Sequence, residues 1–350
     1  MKVMFGEPDN MFYLAAAALA PSLAGDRFLR SYFRPDTVDG VTLVRSWAEK
    51  YQLPARLQAV VCDDTHSFAR ELADTDMIVL EKQPLTAAHL DLARSLKLVL
   101  LFGRDLSGID IAACARCNID VRIIDRPSNR LVAEQTIMLM LALTHNLDES
   151  RRGFGRPSPL PPSGWAYNWT GCSAVRGLAG RTIGLIGFGE VGQLVAEYLK
   201  PFRVQLLYTR RNRDPQLEAN ARATYVDLAT LVANSDIISI HIPGVAGTRH
   251  LLDAEILAKA KPGVFIVNTA RGVIIDEAAL TEGLQAKRIA GAGLDVFATE
   301  PLPPDHPFRQ LDNVILTPHV AGGTRDEQWI DGEIGPIVQA AIEVSRAIES

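Results

Sequence analysis

Three short blocks near the end of the chain put charged or proton-carrying side chains directly after strand-like apolar runs. They are "IVNTARG", which reaches Arg271, "GAGLDVFATEP", which carries Asp295 and Glu300, and "ILTPHVAGG", which carries His319. A guanidinium supplies a permanent positive charge for a carboxylate or a polarised carbonyl. An imidazole titrates near neutrality and can both give and take a proton. Each residue alone has a plainer explanation: a surface ion pair for Arg271 and Glu300, a cap for Asp295, a satisfied polar group after Pro318 for His319. Their joint placement at strand ends is what points to catalysis, because ligands of open α/β sheets bind at the carboxyl ends of the strands.

Upstream, "TIGLIGFGEVGQLVAEYL" sets Gly187, Gly189 and Gly192 between an apolar strand and an amphipathic helix. That context permits a tight turn, close approach of backbone to a pyrophosphate, and packing of the helix on the sheet. Partial matches at Gly153/Gly155 and Gly291/Gly293 lack it. The following strand, "VQLLYT", should end in an acid that holds a free ribose hydroxyl, but it runs into Thr209, Arg210 and Arg211. Thr209 removes the charge that would repel a 2'-phosphate, and two guanidiniums can pair with one. NADP is therefore expected as the preferred cofactor, with NAD as the alternative. A solvated basic turn is the duller reading, since Arg213 continues the run. Among the other histidines, His241 in "HIPG" ends a strand near the cofactor, where Pro243 and Gly244 suggest a cofactor-facing turn.

The elements that must position these residues are legible as alternating strands and helices. "KVMFG", "QAVVCD", "DMIVLE" and "LKLVLLF" predict a parallel α/β sheet over about the first 125 residues. A long apolar helix follows, "LVAEQTIMLMLALTHNLDES", with Asn129 as its expected N-cap. The Gly-, Pro- and Trp-rich "GFGRPSPLPPSGWAYNWTG" reads as a surface loop. Six strands then begin at the glycine motif, the number a doubly wound nucleotide-binding sheet requires. The last thirty residues read as one further helical stretch.

Composition bounds the alternatives. A chain of 350 residues, 47% hydrophobic and 22% charged, fits a two-domain globular protein. A formal charge of -5 argues against a nucleic-acid partner. No apolar run reaches membrane-spanning length. Four cysteines do not make a disulfide framework. Cys114 and Cys117 form a C-x-x-C in "IDIAACARCNIDV", which reads as a short helix running into a strand, without a second ligand pair, so apolar packing is the reading and no metal is expected. "MFYLAAAALA" follows Glu7 and Asp9 and reads as a core helix in a cytoplasmic protein rather than a signal core.

The three late blocks, in this order after the glycine motif, resemble the D-isomer-specific 2-hydroxyacid dehydrogenase family, which includes glyoxylate/hydroxypyruvate reductases and phosphoglycerate dehydrogenases. "LKLVLLFGRDLSGIDIAACARCNIDV" followed by "SNRLVAEQT" is similar to that family's substrate loop and hinge, so the resemblance runs from about Leu96 to Gly323. It implies two domains: a Rossmann-type doubly wound sheet at 128–323, and a smaller flavodoxin-like substrate domain at 1–127 completed by a C-terminal helix at 324–350, with the active site between them. By the same resemblance, Arg271 holds the substrate carboxylate and His319 is the proton donor to a 2-oxo group. Glu300 orients the imidazole, and Asp295 holds the nicotinamide carboxamide.

Gly187, Gly189, Glu190, Val191, Gly192, Thr209, Arg210, Arg211, Pro243, Thr248, Thr269, Ala270, Asp295 and His319 are expected around the cofactor. Gly103, Arg104, Asp105 and Arg271 are expected around the substrate. Here the chain departs from the family, with "FGRDLSG" where a glycine-rich loop is usual and Asp105 in place of a glycine; Lys82 is a candidate compensating charge. The expected function is NADPH-preferring reduction of a small 2-oxo acid to the D-2-hydroxy acid, in a homodimer. Two alternatives stand beside it: formate-type oxidation, in which the resembling enzymes carry an amide in place of the acid, and a nucleotide-sensing, corepressor-like interaction protein.

Overall fold

A computed structural model describes residues 1–33, 39–54, 57–104, 106–155, 175–323 and 327–349. The chain divides into two compact units, Met1–Pro127 with Thr324–Ser350, and Ser128–Gly323. Both are α/β units built on a wholly parallel sheet.

In the first unit the strands are β1 (Lys2–Phe5), β2 (Gln58–Val61), β3 (Met77–Leu80), β4 (Leu98–Phe102) and β5 (Asp120–Ile124), in the order β2-β1-β3-β4-β5. The three central strands are buried on both faces, as helix-covered parallel sheets require, which is why they read as unbroken apolar runs. Alternate residues feed two cores. Val3, Phe5, Val79 and Leu100 join one that includes Phe12, Leu14, Ile334 and Val338, whereas Met4, Ile78, Leu80 and Val99 join another with Phe68 and Leu72. "MFYLAAAALA" lies almost entirely within the helix Asn10–Leu19, whose apolar side the first core buries. Cys114 is buried on the helix Ile111–Arg116, and Cys117, just past its end, is exposed.

The second unit contains β6 (Thr182–Ile186), β7 (Gln205–Thr209), β8 (Ala223–Tyr225), β9 (Ile237–Ile240), β10 (Val264–Asn268), β11 (Ile289–Leu294) and β12 (Val314–Leu316). Their order is β12-β11-β10-β9-β6-β7-β8. There are seven strands where six were expected; β8 is the addition, and three residues are too few to show an alternation. The order reverses at β6, which is flanked by β7 on one side and β9 on the other, so the ligand crevice of such a sheet opens between the ends of β6 and β9. The long apolar helix is Ser128–Thr144, which places Asn129 in its first turn rather than at the cap. It packs on the sheet where Gly291 and Gly293 leave room for Leu139 and Leu143, so that glycine pair serves packing.

Several of the chain's acids are spent on helix starts. Asp9, Asp110, Asp227 and Asp276 each accept from an amide of the first turn, worth about 1 kcal/mol apiece. Most of the Pro- and Trp-rich stretch, and Asp105, lie outside the described residues. No described helix is long and apolar enough to cross a membrane.

Candidate active site

The register of the second sheet lines up one row of residues across its carboxyl edge. Thr209 pairs with Ile186, Ile186 with Ile240, Ile240 with Asn268, Asn268 with Leu294, and Leu294 with Leu316. The residues one step further on are Arg210, Gly187, His241, Thr269, Asp295 and Thr317. Residues scattered over more than a hundred positions therefore emerge on a single rim.

At the centre of the rim, the three glycines differ in what they avoid. Gly187 has φ +99°, and a Cβ there would lie 2.4 Å from the carbonyl oxygen of His241. A Cβ on Gly192 would lie 2.6 Å from the Gly187 oxygen, so this glycine lets the helix Glu190–Leu199 press against the turn. Gly189 is the N-cap of that helix, and a Cβ there would meet nothing within 4 Å. The helix start thus has an open approach to unpaired amides with the positive end of the helix dipole behind them, a fit to a dinucleotide pyrophosphate. Glu190 and Val191 open the helix, Glu190 as the acid of its first turn and Val191 packed on the core beneath.

Beside the turn, Gly187 donates its amide to the carbonyl of Thr209 at 2.9 Å, tying the glycine turn to the end of β7. Arg213 is engaged there, with Nε 2.6 Å and Nη2 2.9 Å from the carboxylate of Glu218. Arg210 stands 4.0 Å from Asp214, whose carboxylate also caps the helix Pro215–Ala221. Arg211 is exposed and makes no ion pair among the described residues. On the other flank His241 bonds the Ser239 hydroxyl at 2.9 Å, and burial pushes its imidazole down to about 3. The following turn closes on Thr248, whose Oγ1 donates to the Pro243 carbonyl at 2.7 Å.

Past β10, Asn268 brackets the next turn: its Oδ1 accepts from Ala270 N, and its Nδ2 donates to the Arg271 carbonyl, both at 3.0 Å. Thr269 is buried, with its hydroxyl 2.8 Å from that of Thr136. Arg271 is exposed; Nη1 donates to the Ala270 carbonyl at 2.6 Å, and no carboxylate pairs with it among the described residues. The Arg271 stem is seated by Gly244, where a Cβ would come within 2.8 Å of its own Cβ.

His319 and Glu300 meet directly, Nδ1 to Oε2 at 2.6 Å, while Glu300 Oε1 accepts from Phe297 N at 2.9 Å. With Nδ1 held, Nε2 is the nitrogen left to exchange a proton. His319 has φ +52°, a left-handed conformation that costs a non-glycine residue energy and recurs at functional sites. It is fixed by its amide, which donates to the Asp295 carbonyl at 2.7 Å. A pocket of about 600 Å³, lined by Phe297, Pro301, Leu302 and Leu316 among others, adjoins the pair.

Asp295 follows β11 on the same rim. It is fully buried, and its carboxylate accepts from the amides of Val320 at 3.0 Å and Ala321 at 2.9 Å and from the Thr317 hydroxyl. These bonds organise the turn that carries His319.

The first unit carries the remaining candidates. Gly103, with φ +118°, follows β4, and its amide bonds the Ile124 carbonyl at 3.1 Å. The Arg104 guanidinium lies 2.8–2.9 Å from Asp125 Oδ1 through two nitrogens, and Lys82 pairs with Glu81 at 2.9 Å. Asn268, Thr136 and Gly272 were not foreseen. Asn268 alone had a local signal, a turn-forming amide two residues before Ala270.

The model of the D-isomer specific 2-hydroxyacid dehydrogenase NAD binding domain matches residues 137–321. A glyoxylate reductase of Thermofilum pendens is 36% identical over 262 residues, covering 73% of this chain and 74% of its own. Formate dehydrogenase 2, mitochondrial, of Oryza sativa subsp. japonica is 33% identical over 301 residues, covering 83% and 76%. Among solved structures, an acyclic imino acid reductase in complex with NADPH and D-Arg superposes with a TM-score of 0.59 at 25% identity, covering 99% of this chain and 97% of that one. The glycine turn, the strand order and these likenesses agree: the chain belongs to the D-isomer-specific 2-hydroxyacid dehydrogenase family and is an NAD(P)-dependent oxidoreductase.

Proposed function

We propose that the chain reduces a small 2-oxo acid to the D-2-hydroxy acid with NADPH preferred over NADH, glyoxylate and hydroxypyruvate being the first substrates to try. The observation that carries this is the 2.6 Å contact between His319 and Glu300 on the rim that also presents Arg271, which has no carboxylate partner among the described residues. When bound, the dinucleotide supplies the hydride. Gly187, Gly189, Glu190, Val191 and Gly192 hold its pyrophosphate through backbone. Thr209, Arg210 and Arg211 take the 2'-phosphate, and Pro243, Thr248, Thr269 and Ala270 line its path. Arg271 binds the substrate carboxylate and polarises the carbonyl, while His319 Nε2 gives the oxygen its proton and Glu300 fixes the ring. In the first unit, Gly103, Arg104 and Asp105 are the candidate substrate contacts.

In this reading 128–323 is the dinucleotide-binding domain, and 1–127 with 324–350 is the substrate domain. The strand order 2-1-3-4-5 of the latter supports the flavodoxin-like description. Assembly as a homodimer rests on the family resemblance, and a cytoplasmic setting on the reading of the first apolar run as a core helix. A carboxylate against His319 favours carbonyl reduction over formate oxidation, in which no carbonyl oxygen needs a proton.

The test is oxidation of NADPH and NADH followed across a panel of 2-oxo acids, for the native protein and for His319→Ala. Native turnover that is faster with NADPH is expected, with a loss of about 10²–10⁴-fold in kcat for His319→Ala at nearly unchanged cofactor affinity. Tight NADPH binding with no turnover of any acid would instead favour the sensing role, and an active His319→Ala would remove His319 as the donor.

A further inference from the structure

We propose that Glu277 is a positioning residue for the Glu300–His319 pair, acting through the Phe297–Ala298 peptide with His306 behind it. The proposal rests on the roles given to Glu300 and His319 above. One oxygen of Glu300 faces His319, and the other is anchored on Phe297 N, so the direction in which Glu300 points depends on where Phe297 is held by the Phe297–Ala298 peptide that follows its Cα. The peptide is gripped from two sides. On one, Gly272 approaches so closely that a Cβ would sit 1.9 Å from Phe297 C and 2.3 Å from Ala298 N. On the other, Glu277 Oε1 accepts from Ala298 N at 2.8 Å, across 21 residues of sequence.

The second oxygen of Glu277 is itself held, 3.4 Å from His306 Nε2. His306 Nδ1 accepts from Phe308 N at 3.3 Å, which leaves its Nε2 as the nitrogen that faces Glu277. The ring also packs against Phe308, with centroids 4.6 Å apart. Both side chains are mostly buried, at 20% and 18% exposure, so the clamp is fixed by packing as well as by hydrogen bonds. Glu277 is the first residue of the helix Glu277–Gln285, whose start is capped by Asp276, and this gives the clamp a rigid base. Glu277 contacts no reacting atom. It holds the backbone on which Glu300 is hung, and a loosened Glu300 would leave His319 free to turn.

The experiment compares native protein, Glu277→Ala, Glu277→Gln and Glu300→Gln, each as the full chain with nitrogen-15-labelled histidines. The His319 imidazole signals are identified by their disappearance in His319→Gln. They are expected to move in Glu277→Ala part of the way towards their positions in Glu300→Gln, and to stay near native in Glu277→Gln, whose amide oxygen still accepts from Ala298 N. With a turned-over 2-oxo acid, kcat should fall about tenfold in Glu277→Ala, with KM for NADPH within about twofold of native, and should recover in Glu277→Gln. Unmoved His319 signals in a folded Glu277→Ala, or a Glu277→Gln as disturbed as Glu277→Ala, would overturn the proposal. Should Glu277→Ala not fold, Glu277→Asp takes its place, one methylene too short to reach Ala298. The spectra decide the proposal even if no acid is turned over, an outcome that would count only against the reductase reading.

Discussion

Two turns in this protein have the same outward form: a glycine with positive φ at the carboxyl end of a buried parallel strand, with arginines close by. One follows β6 and the other follows β4, and their surroundings differ. At Gly187, left-handed backbone and crowding coincide, because the His241 carbonyl occupies the space a side chain would need. At Gly103 only the dihedral matters, since the nearest atom to a hypothetical Cβ is Arg126 Cδ at 4.0 Å. The β6 turn leads into a ten-residue helix with an open N-terminus, whereas the β4 turn leads past an undescribed residue to a three-residue 3₁₀ turn, Leu106–Gly108. The arginines differ in the same sense. Arg211 has no carboxylate partner among the described residues and Arg210 only a distant one, while Arg104 has two nitrogens on Asp125. A glycine and an arginine at a strand end thus occur here in two settings, with an open helix start and cations without a close carboxylate after β6, and with a cation held by Asp125 after β4.

The contrast can be broken by substitution, beginning where the effect should be greatest. Gly187→Ala combines a left-handed backbone, about 1–3 kcal/mol, with an overpacked contact of similar cost. A fall of roughly 10 °C in thermal unfolding is expected, together with loss of dinucleotide binding by calorimetry. A variant that melts and binds like the native protein would erase the distinction. Next, replacing Arg210 and Arg211 together by Ala should weaken NADPH about 10–100-fold and NADH less than about threefold, as expected for lost charged hydrogen bonds to a phosphate. Equal losses for the two dinucleotides would show that the pair does not read the 2'-phosphate. The smallest effects belong to the other turn. Gly103→Ala should cost about 1 kcal/mol through its dihedral alone, and Arg104→Ala less than about 1 kcal/mol, as for an exposed ion pair. Denaturant titration measures both, and a loss at Gly103 as large as at Gly187 would mean that crowding is not what separates them.

How much of this was legible in the sequence follows the same division. Strands buried on both faces announce themselves as apolar runs, as β1, β3, β4, β9 and β10 do, while β8, with three residues, coincides with no segment readable in advance. The glycine turn, Arg271, Glu300 and His319 were legible because each sits in a short local block. What the sequence hid were the long-range holds. Gly272 against the Phe297–Ala298 peptide, Thr136 against Thr269 and Glu277 on Ala298 N depend on which strands become neighbours, and spacing along the chain does not encode that. Asp295 illustrates the limit. The acid after the strand is legible, whereas the three donors from residues 317–321 that make it the keystone of a turn are not.

The final helix, Glu327–Glu349, adds Ile330, Ile334, Ile337 and Val338 to the interior built by the first 127 residues. During synthesis from the amino end, the opening sheet therefore has to wait, with part of its oily interior uncovered, while nearly two hundred intervening residues emerge and can already close on themselves. The unit made first is the one finished last, and on the ribosome the newborn chain is most exposed to clumping through its beginning rather than its middle.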